Sequence, residues 1–260
     1  MGWKEGIVFF SFISALLIPR EAVYPASSQE ITVSAAMALK SSFEEIGKAF
    51  GQSHPGVKVF FNFGASGDLK KQIEAGAPVA VFAPASLQDM DELERARRII
   101  KGTRLNFVKN ELVLIEPVHA RFKLTSFHDL KRETVKKIAI VNPKTSPAGK
   151  YAEEILTSYN LLEAVRDKLV FGEHVRQILD YVAREEVDAG IVYLTDVRLR
   201  SREVRVVMQA PESSHTSAVY PIAVVRGTEN EGLSREFVDF VGSGEARQIF
   251  EQYGFKPLRE

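Results

Sequence analysis

The stretch ITVSAAMALKSSFEEIGKAFGQSHPGVKVFFNF, Ile31 to Phe63, holds a strand, a helix and a second strand. Ile31 to Ala35 is apolar and short enough for a buried strand, while Leu39, Phe43, Ile46 and Phe50 recur at helical spacing. His54-Pro55-Gly56 then turns the chain into the alternating run Val57 to Phe63. Two strands joined through a helix are parallel, and the crossover is right-handed by the general rule. The same alternation continues along the chain, which makes the fold class α/β.

Further strands are expected at Val79 to Ala83, Leu112 to Ile115, Lys137 to Val141, Leu169 to Phe171, Ala189 to Tyr193, Val204 to Met208 and Ala218 to Val225. Helices are expected over Asp68 to Ala75, through the 90s behind a Ser86 cap, from Ala148 to about Tyr159, after Gly172-Glu173-His174-Val175, and around Phe237 and Ile249. Pro147 suits a first helical position, where its missing N–H costs nothing. No internal repeat or low-complexity tract interrupts the 260 residues.

Two turns stand out. Gly64-Ala65-Ser66-Gly67-Asp68-Leu69 and Thr145-Ser146-Pro147-Ala148-Gly149-Lys150-Tyr151 each end a strand and open a helix with small or hydroxyl-bearing residues. The first amides of a helix have no partner within it and carry partial positive charge, so converging helix starts can hold a small anion without Lys or Arg.

Composition narrows the field. Lysine and arginine total 34 and aspartate and glutamate 34, so no net field draws in nucleic acid or an anionic membrane. The absence of cysteine excludes disulfides, thiolate metal sites, a cysteine nucleophile and a lipidated cysteine anchor. At the N-terminus, Lys4 precedes an apolar run from Ile7 to Ile18 broken only by Ser11 and Ser14, and a polar break follows at Ala26-Ser27-Ser28. That run falls short of the roughly twenty residues needed to span a bilayer, so residues 1–28 read as a secretory signal peptide. An exported, freely diffusing periplasmic or extracellular protein is expected.

The chain resembles the periplasmic molybdate-binding proteins of ABC transporters. The resemblance lies in ITVSAAMAL (Ile31 to Leu39), FGASGDLKKQIEAGAP (Phe63 to Pro78), NELVLIEP (Asn110 to Pro117), PAGKYAEEIL (Pro147 to Leu156), GIVYLTD (Gly190 to Asp196), YPIAVV (Tyr220 to Val225) and IFEQYGF (Ile249 to Phe255). It implies a two-lobed periplasmic binding-protein fold of type II. Lobe 1 would comprise 29–108 with 220–260 and lobe 2 109–219, with hinge crossings near Asn106 to Leu114 and Ser214 to Tyr220. It also implies an oxyanion held between the lobes, molybdate or tungstate, closure on binding, delivery to an ABC permease, a monomer, and no cofactor or direct metal-ion ligand.

Carried over residue by residue, the implied ligands are Ser66, the backbone amides at Ala38, Ala148 and Val175, and the phenol of Tyr193. Two positions depart from the family pattern. Ala38 stands where a serine is usual, and a missing donor costs roughly 1 to 3 kcal/mol, about one to two decades of affinity. Ser34 and Ser41 are the nearest replacements, but strand alternation and distance along the helix keep both out of reach. Ala80 stands near a usual aspartate, with no physical reason apparent from sequence.

A donor-only site suits a fully deprotonated tetrahedral dianion. Phosphate keeps a proton that would face another N–H, so it is disfavoured. Sulfate shares the charge pattern and must be sorted by size. The turn from Asn142 to Gly149 offers no acid, so four-coordinate binding is expected.

Each feature has a plainer reading. Ser66 could serve only as a helix N-cap, and Tyr193 could be a core tyrosine with a satisfied hydroxyl. The change at Ala38 could shift selectivity to sulfate or another oxyanion. A secreted serine hydrolase using Ser66 is the alternative of another class, but Gly64-Ala65-Ser66-Gly67-Asp68 lacks the last glycine of a nucleophile elbow. His54, His119, His128, His174 and His215 show no metal-ligand spacing, and neither a P-loop nor a dinucleotide fingerprint is present. No enzymatic role is expected.

Overall fold

In a computed structural model, residues 1–2 and 29–258 are described. The expected signal peptide lies almost wholly outside them. The chain builds two sheets. The first runs β11-β4-β10-β3-β1-β2, from β1 (Gln29–Ala36), β2 (Val57–Gly64), β3 (Val81–Ala83), β4 (Leu105–Asn110), β10 (Ala218–Val224) and β11 (Lys256–Pro257). The second runs β7-β6-β8-β5-β9, from β5 (Leu112–Pro117), β6 (Ile138–Val141), β7 (Leu169–Gly172), β8 (Ala189–Tyr193) and β9 (Val204–Gln209). In each, three parallel strands carry the helical crossovers and antiparallel strands complete the sheet.

The strand-helix-strand unit forms as its periodicity predicts. β1 pairs in parallel with β2 from Gln29 opposite Val57 to Ala36 opposite Gly64. Between them a 3-10 turn at Met37–Leu39 runs directly into α1 (Lys40–Ser53). Leu39, Phe43, Ile46 and Phe50 are all fully buried. Phe43 packs edge-on or tilted against Phe61, Phe107, Phe237 and Phe250, with centroids 5.9–6.3 Å apart. Such aromatic contacts add about 0.5 to 1.5 kcal/mol each beyond burial, so this cluster anchors the first lobe. It draws α8 (Glu231–Val241) and α9 (Gly244–Gln252) onto α1, returning the end of the chain to the lobe where it began.

The remaining helices follow the strands. α2 (Ser66–Glu74) and α3 (Leu87–Arg95) flank β3. The second sheet carries α4 (Pro147–Ser158), the short α5 (Leu162–Val165), α6 (Val175–Ala183) and the short α7 (Leu194–Val197). Gly149 is required in α4, because a Cβ there would stand 2.3 Å from the Val141 carbonyl oxygen and 2.7 Å from the Pro143 nitrogen. The PAG motif therefore lets α4 start pressed against the end of β6.

The chain passes from the first sheet to the second at Glu111, and back between Gln209 and Ala218. First-sheet pairing thus includes Lys109, Asn110, Ala218 and Val219, reaching two residues beyond 108 and two before 220. At the first passage, Asn110 donates to Thr195 Oγ1 (2.8 Å) and Tyr220 OH (3.4 Å) and accepts from the Glu111 N–H (2.9 Å). One buried amide thereby ties the two sheets together where they join.

Candidate functional site: a cavity between the two sheets

The two small-residue turns meet. Gly67 N–H donates to the Thr145 carbonyl at 3.0 Å, joining the start of α2 to the turn before α4. Other bonds cross the same gap: Tyr151 OH to the Ala85 carbonyl (3.4 Å), Lys150 Nζ to Gln88 Oε1 (3.3 Å) and Arg176 Nη2 to Ser41 Oγ (3.0 Å). Between them lies a tight cavity of about 10 Å3. Ala38 and Ser66 line it from the first sheet's side; Ser146, His174, Val175 and Tyr193 line it from the second's.

Four of the five expected ligand positions thus face one cavity. Ala148 does not line it; it is buried in the first turn of α4, two residues after Ser146. Ala38 sits in the 3-10 turn that begins the α1 segment, Ser66 begins α2, and Val175 begins α6. Several helix starts therefore converge, each presenting amides that no preceding turn can satisfy.

Ser66 is not the N-cap that a serine at this turn suggests. Ala65 holds that position, and Ser66 is the first helical residue. Its buried Oγ accepts a hydrogen bond from the Ala85 N–H (2.9 Å). With a lone pair so occupied, the hydroxyl proton remains to be donated into the cavity.

Tyr193 departs further from the core-tyrosine reading. The ring is 1% exposed and packs against Tyr220, and its hydroxyl, with the Tyr220 hydroxyl as its polar neighbour, makes no hydrogen bond of good geometry among the described residues. Burial pushes its pKa well above the ordinary value, so it stays protonated. A buried O–H without a well-formed hydrogen bond costs about 1 to 3 kcal/mol, and here it lines the cavity.

His174 caps α6, its Nδ1 accepting from the Gln177 N–H at 3.2 Å. Burial lowers its pKa, consistent with a neutral ring. Ser66 and His174 line the same cavity, but the Ser66 hydroxyl is bonded to the Ala85 amide and the His174 Nδ1 to the Gln177 amide. Among the described residues, no group of three or more His, Asp or Glu side chains could hold a metal ion.

Arg176 in α6 and Asp196 in α7 are two ionisable side chains that sequence reading did not single out. Asp196 is 1% exposed, and burial pushes it up to about 7 against the opposing pull of Arg176. Arg176 Nε and Asp196 Oδ2 both lack hydrogen-bond partners among the described residues. The guanidinium is one residue from Val175 but is not part of the cavity wall.

The two departures separate in space. Ala38 lines the cavity, whereas Ala80 lies in a groove with Arg98 and Arg226. Ser41 and Ser34 are engaged elsewhere: Ser41 accepts from Arg176, and Ser34 from Asn62 (3.3 Å).

Two sheets joined by two passages, with donors converging between them, define a bilobal binding protein. The chain belongs to the bacterial extracellular solute-binding protein family, whose pattern matches residues 31–256. It is 36% identical over 247 residues to the molybdate-binding protein ModA of Haemophilus influenzae, spanning 93% of this chain and 96% of that one. It is 35% identical to ModA of Escherichia coli over 236 residues, 88% of this chain and 90% of that one. The periplasmic molybdate-binding protein of Azotobacter vinelandii shares the fold, with a TM-score of 0.78 at 22% identity, covering 88% of this chain and all of that one.

Proposed function

We propose that this protein captures molybdate, and tungstate with it, outside the cytoplasm and delivers it to an ABC permease without making or breaking bonds. The lobes are residues 29–108 with 220–260, and 109–219, with the first sheet's pairing carried two residues further at each passage. The ligand groups are the Ser66 hydroxyl, the Tyr193 hydroxyl and the amides of Ala38, Ala148 and Val175. The observation that carries this reading is the Tyr193 hydroxyl, a buried donor without a well-formed hydrogen bond among the described residues, on a cavity that helix starts also line.

The ligand assignment is supported by relatives named for molybdate at 35–36% identity over most of the chain. The sulfate-binding protein SubI of Mycobacterium tuberculosis also shares the fold, but at 19% identity it speaks only to architecture. At about 10 Å3 the cavity is tight, so loading requires the lobes to part at the two passages and close again. Only the closed form lets both lobes donate to one oxyanion, so binding favours closure, the form a permease would read. The protein acts as an exported monomer.

Calorimetric titration of the protein lacking residues 1–28 with molybdate, tungstate, sulfate and phosphate tests this. One-to-one binding of molybdate and tungstate that sulfate and phosphate do not match is expected. Stronger binding of sulfate would move the assignment to that ion, and no heat with any of the four would defeat it.

A further inference from the structure

Ala38 brings no hydroxyl to the cavity, and the opposite wall carries a serine. Ser146 precedes α4 at the N-cap position, with extended backbone (φ −135°, ψ 135°), where serine ordinarily accepts a bond from an amide of the first turn. It does not do so here. The residue is 7% exposed and lines the cavity, and its Oγ makes no capping bond to the helix it precedes. Its backbone is fully employed: the carbonyl accepts from Gly149 (3.1 Å) and Lys150 (3.2 Å), and the N–H donates to the Asn142 carbonyl (3.1 Å). The hydroxyl is therefore carried by a fixed backbone without serving as the cap.

We infer that Ser146 supplies the hydroxyl donor that Ala38 lacks, so that the ligand's hydrogen bond moves from the first lobe to the second. The assignment rests on the oxyanion reading of the cavity and deepens it. The observations reinforce each other, because Ser146 and Tyr193 are both nine-tenths or more buried and both line the cavity, the Ser146 hydroxyl is not spent on capping α4, and the Tyr193 hydroxyl makes no hydrogen bond of good geometry. Together with Ser66, they place one hydroxyl in the first lobe and two in the second. The ligand class is a tetrahedral oxyanion with every oxygen free to accept. With the donor restored from the second lobe, the change at Ala38 need not weaken binding.

The test compares the parent protein with Ser146→Ala, Ser146→Gly, Ala38→Ser and the double variant Ala38→Ser with Ser146→Ala, each titrated with sodium molybdate. Glycine is included because it is an acceptable N-cap, which separates loss of the hydroxyl from a change in helix capping. Both Ser146 variants are expected to bind roughly ten- to a hundredfold more weakly. Their urea midpoints without ligand should match the parent's, since the hydroxyl does not cap α4. Ala38→Ser in the Ser146→Ala background should recover most of the loss. If the parent binds molybdate and both Ser146 variants bind within twofold of it, the assignment is overturned. A parent that gives no heat with molybdate overturns the oxyanion reading itself, and this assignment with it.

Discussion

The Gly67 N–H and the Thr145 carbonyl, 78 positions apart in sequence, are joined by a 3.0 Å hydrogen bond that crosses between the lobes one residue from Ser66 and Ser146 of the cavity wall. Glycine is what permits the approach. A Cβ on Gly67 would stand 2.7 Å from the Thr145 carbonyl oxygen, a backbone atom that cannot swing aside. Gly67→Ala should therefore fold, since the position is helical, while holding the lobes slightly apart. Overpacking of this kind costs about 1 to 3 kcal/mol, or roughly ten- to a hundredfold in affinity. Calorimetry checks the affinity and small-angle scattering checks for a more open liganded form; unchanged binding would show that the contact is not needed for closure.

Tyr193→Phe isolates the second lobe's phenol. Removing a hydroxyl that makes no well-formed hydrogen bond should leave the unliganded protein as stable as before or slightly more so, while molybdate affinity falls roughly ten- to a hundredfold. Thermal unfolding with and without molybdate separates the two effects. A large loss of unliganded stability would return Tyr193 to an ordinary core role.

His174 makes stability depend on pH. Burial holds its folded pKa below the ordinary value of about 6.5, so the unfolded chain takes up the proton first as pH falls. The stability it contributes is complete above about 6.5 and is lost as pH falls through the folded value, because a protonated Nδ1 cannot accept from Gln177. Urea midpoints measured downward from pH 7.5 should show the loss. His174→Asn, which keeps a capping acceptor but does not titrate, should flatten that part of the curve.

Asp196 has the opposite sign. Its folded pKa of about 7 lies above the unfolded value, so its contribution is present below the unfolded pKa and lost as pH rises through 7. Asp196→Asn should accordingly gain stability relative to the parent between pH 5 and pH 8. Urea unfolding of both proteins at those two pH values measures the change, and a difference that does not vary with pH would show that Asp196 titrates normally.

Most of the architecture was legible because apolar periodicity is a local signal. Leu39, Phe43, Ile46 and Phe50 announce α1, and β8 falls where Ala189 to Tyr193 predicts. β4 was legible only as a hinge region: Leu105–Asn110 mixes buried and partly exposed residues, and its strand identity comes from pairing with β10 and β11. The two-residue β11 carries too little pattern to read. At the site, the turns around Ser66 and Pro147 were visible because helix starts have a chemical signature. What remained hidden were roles fixed by rotamers: Ser66 bonding Ala85 rather than capping, Ser146 leaving its helix uncapped, and Arg176 reaching Ser41.

Anomalous scattering from a crystal of the protein grown with sodium tungstate is the most direct test of a two-lobed oxyanion trap. Data collected at the tungsten edge should show a single strong peak between Ser66 and Tyr193, with oxygens in hydrogen-bond reach of both lobes. A peak elsewhere, or none in a protein saturated with tungstate in solution, would contradict the account.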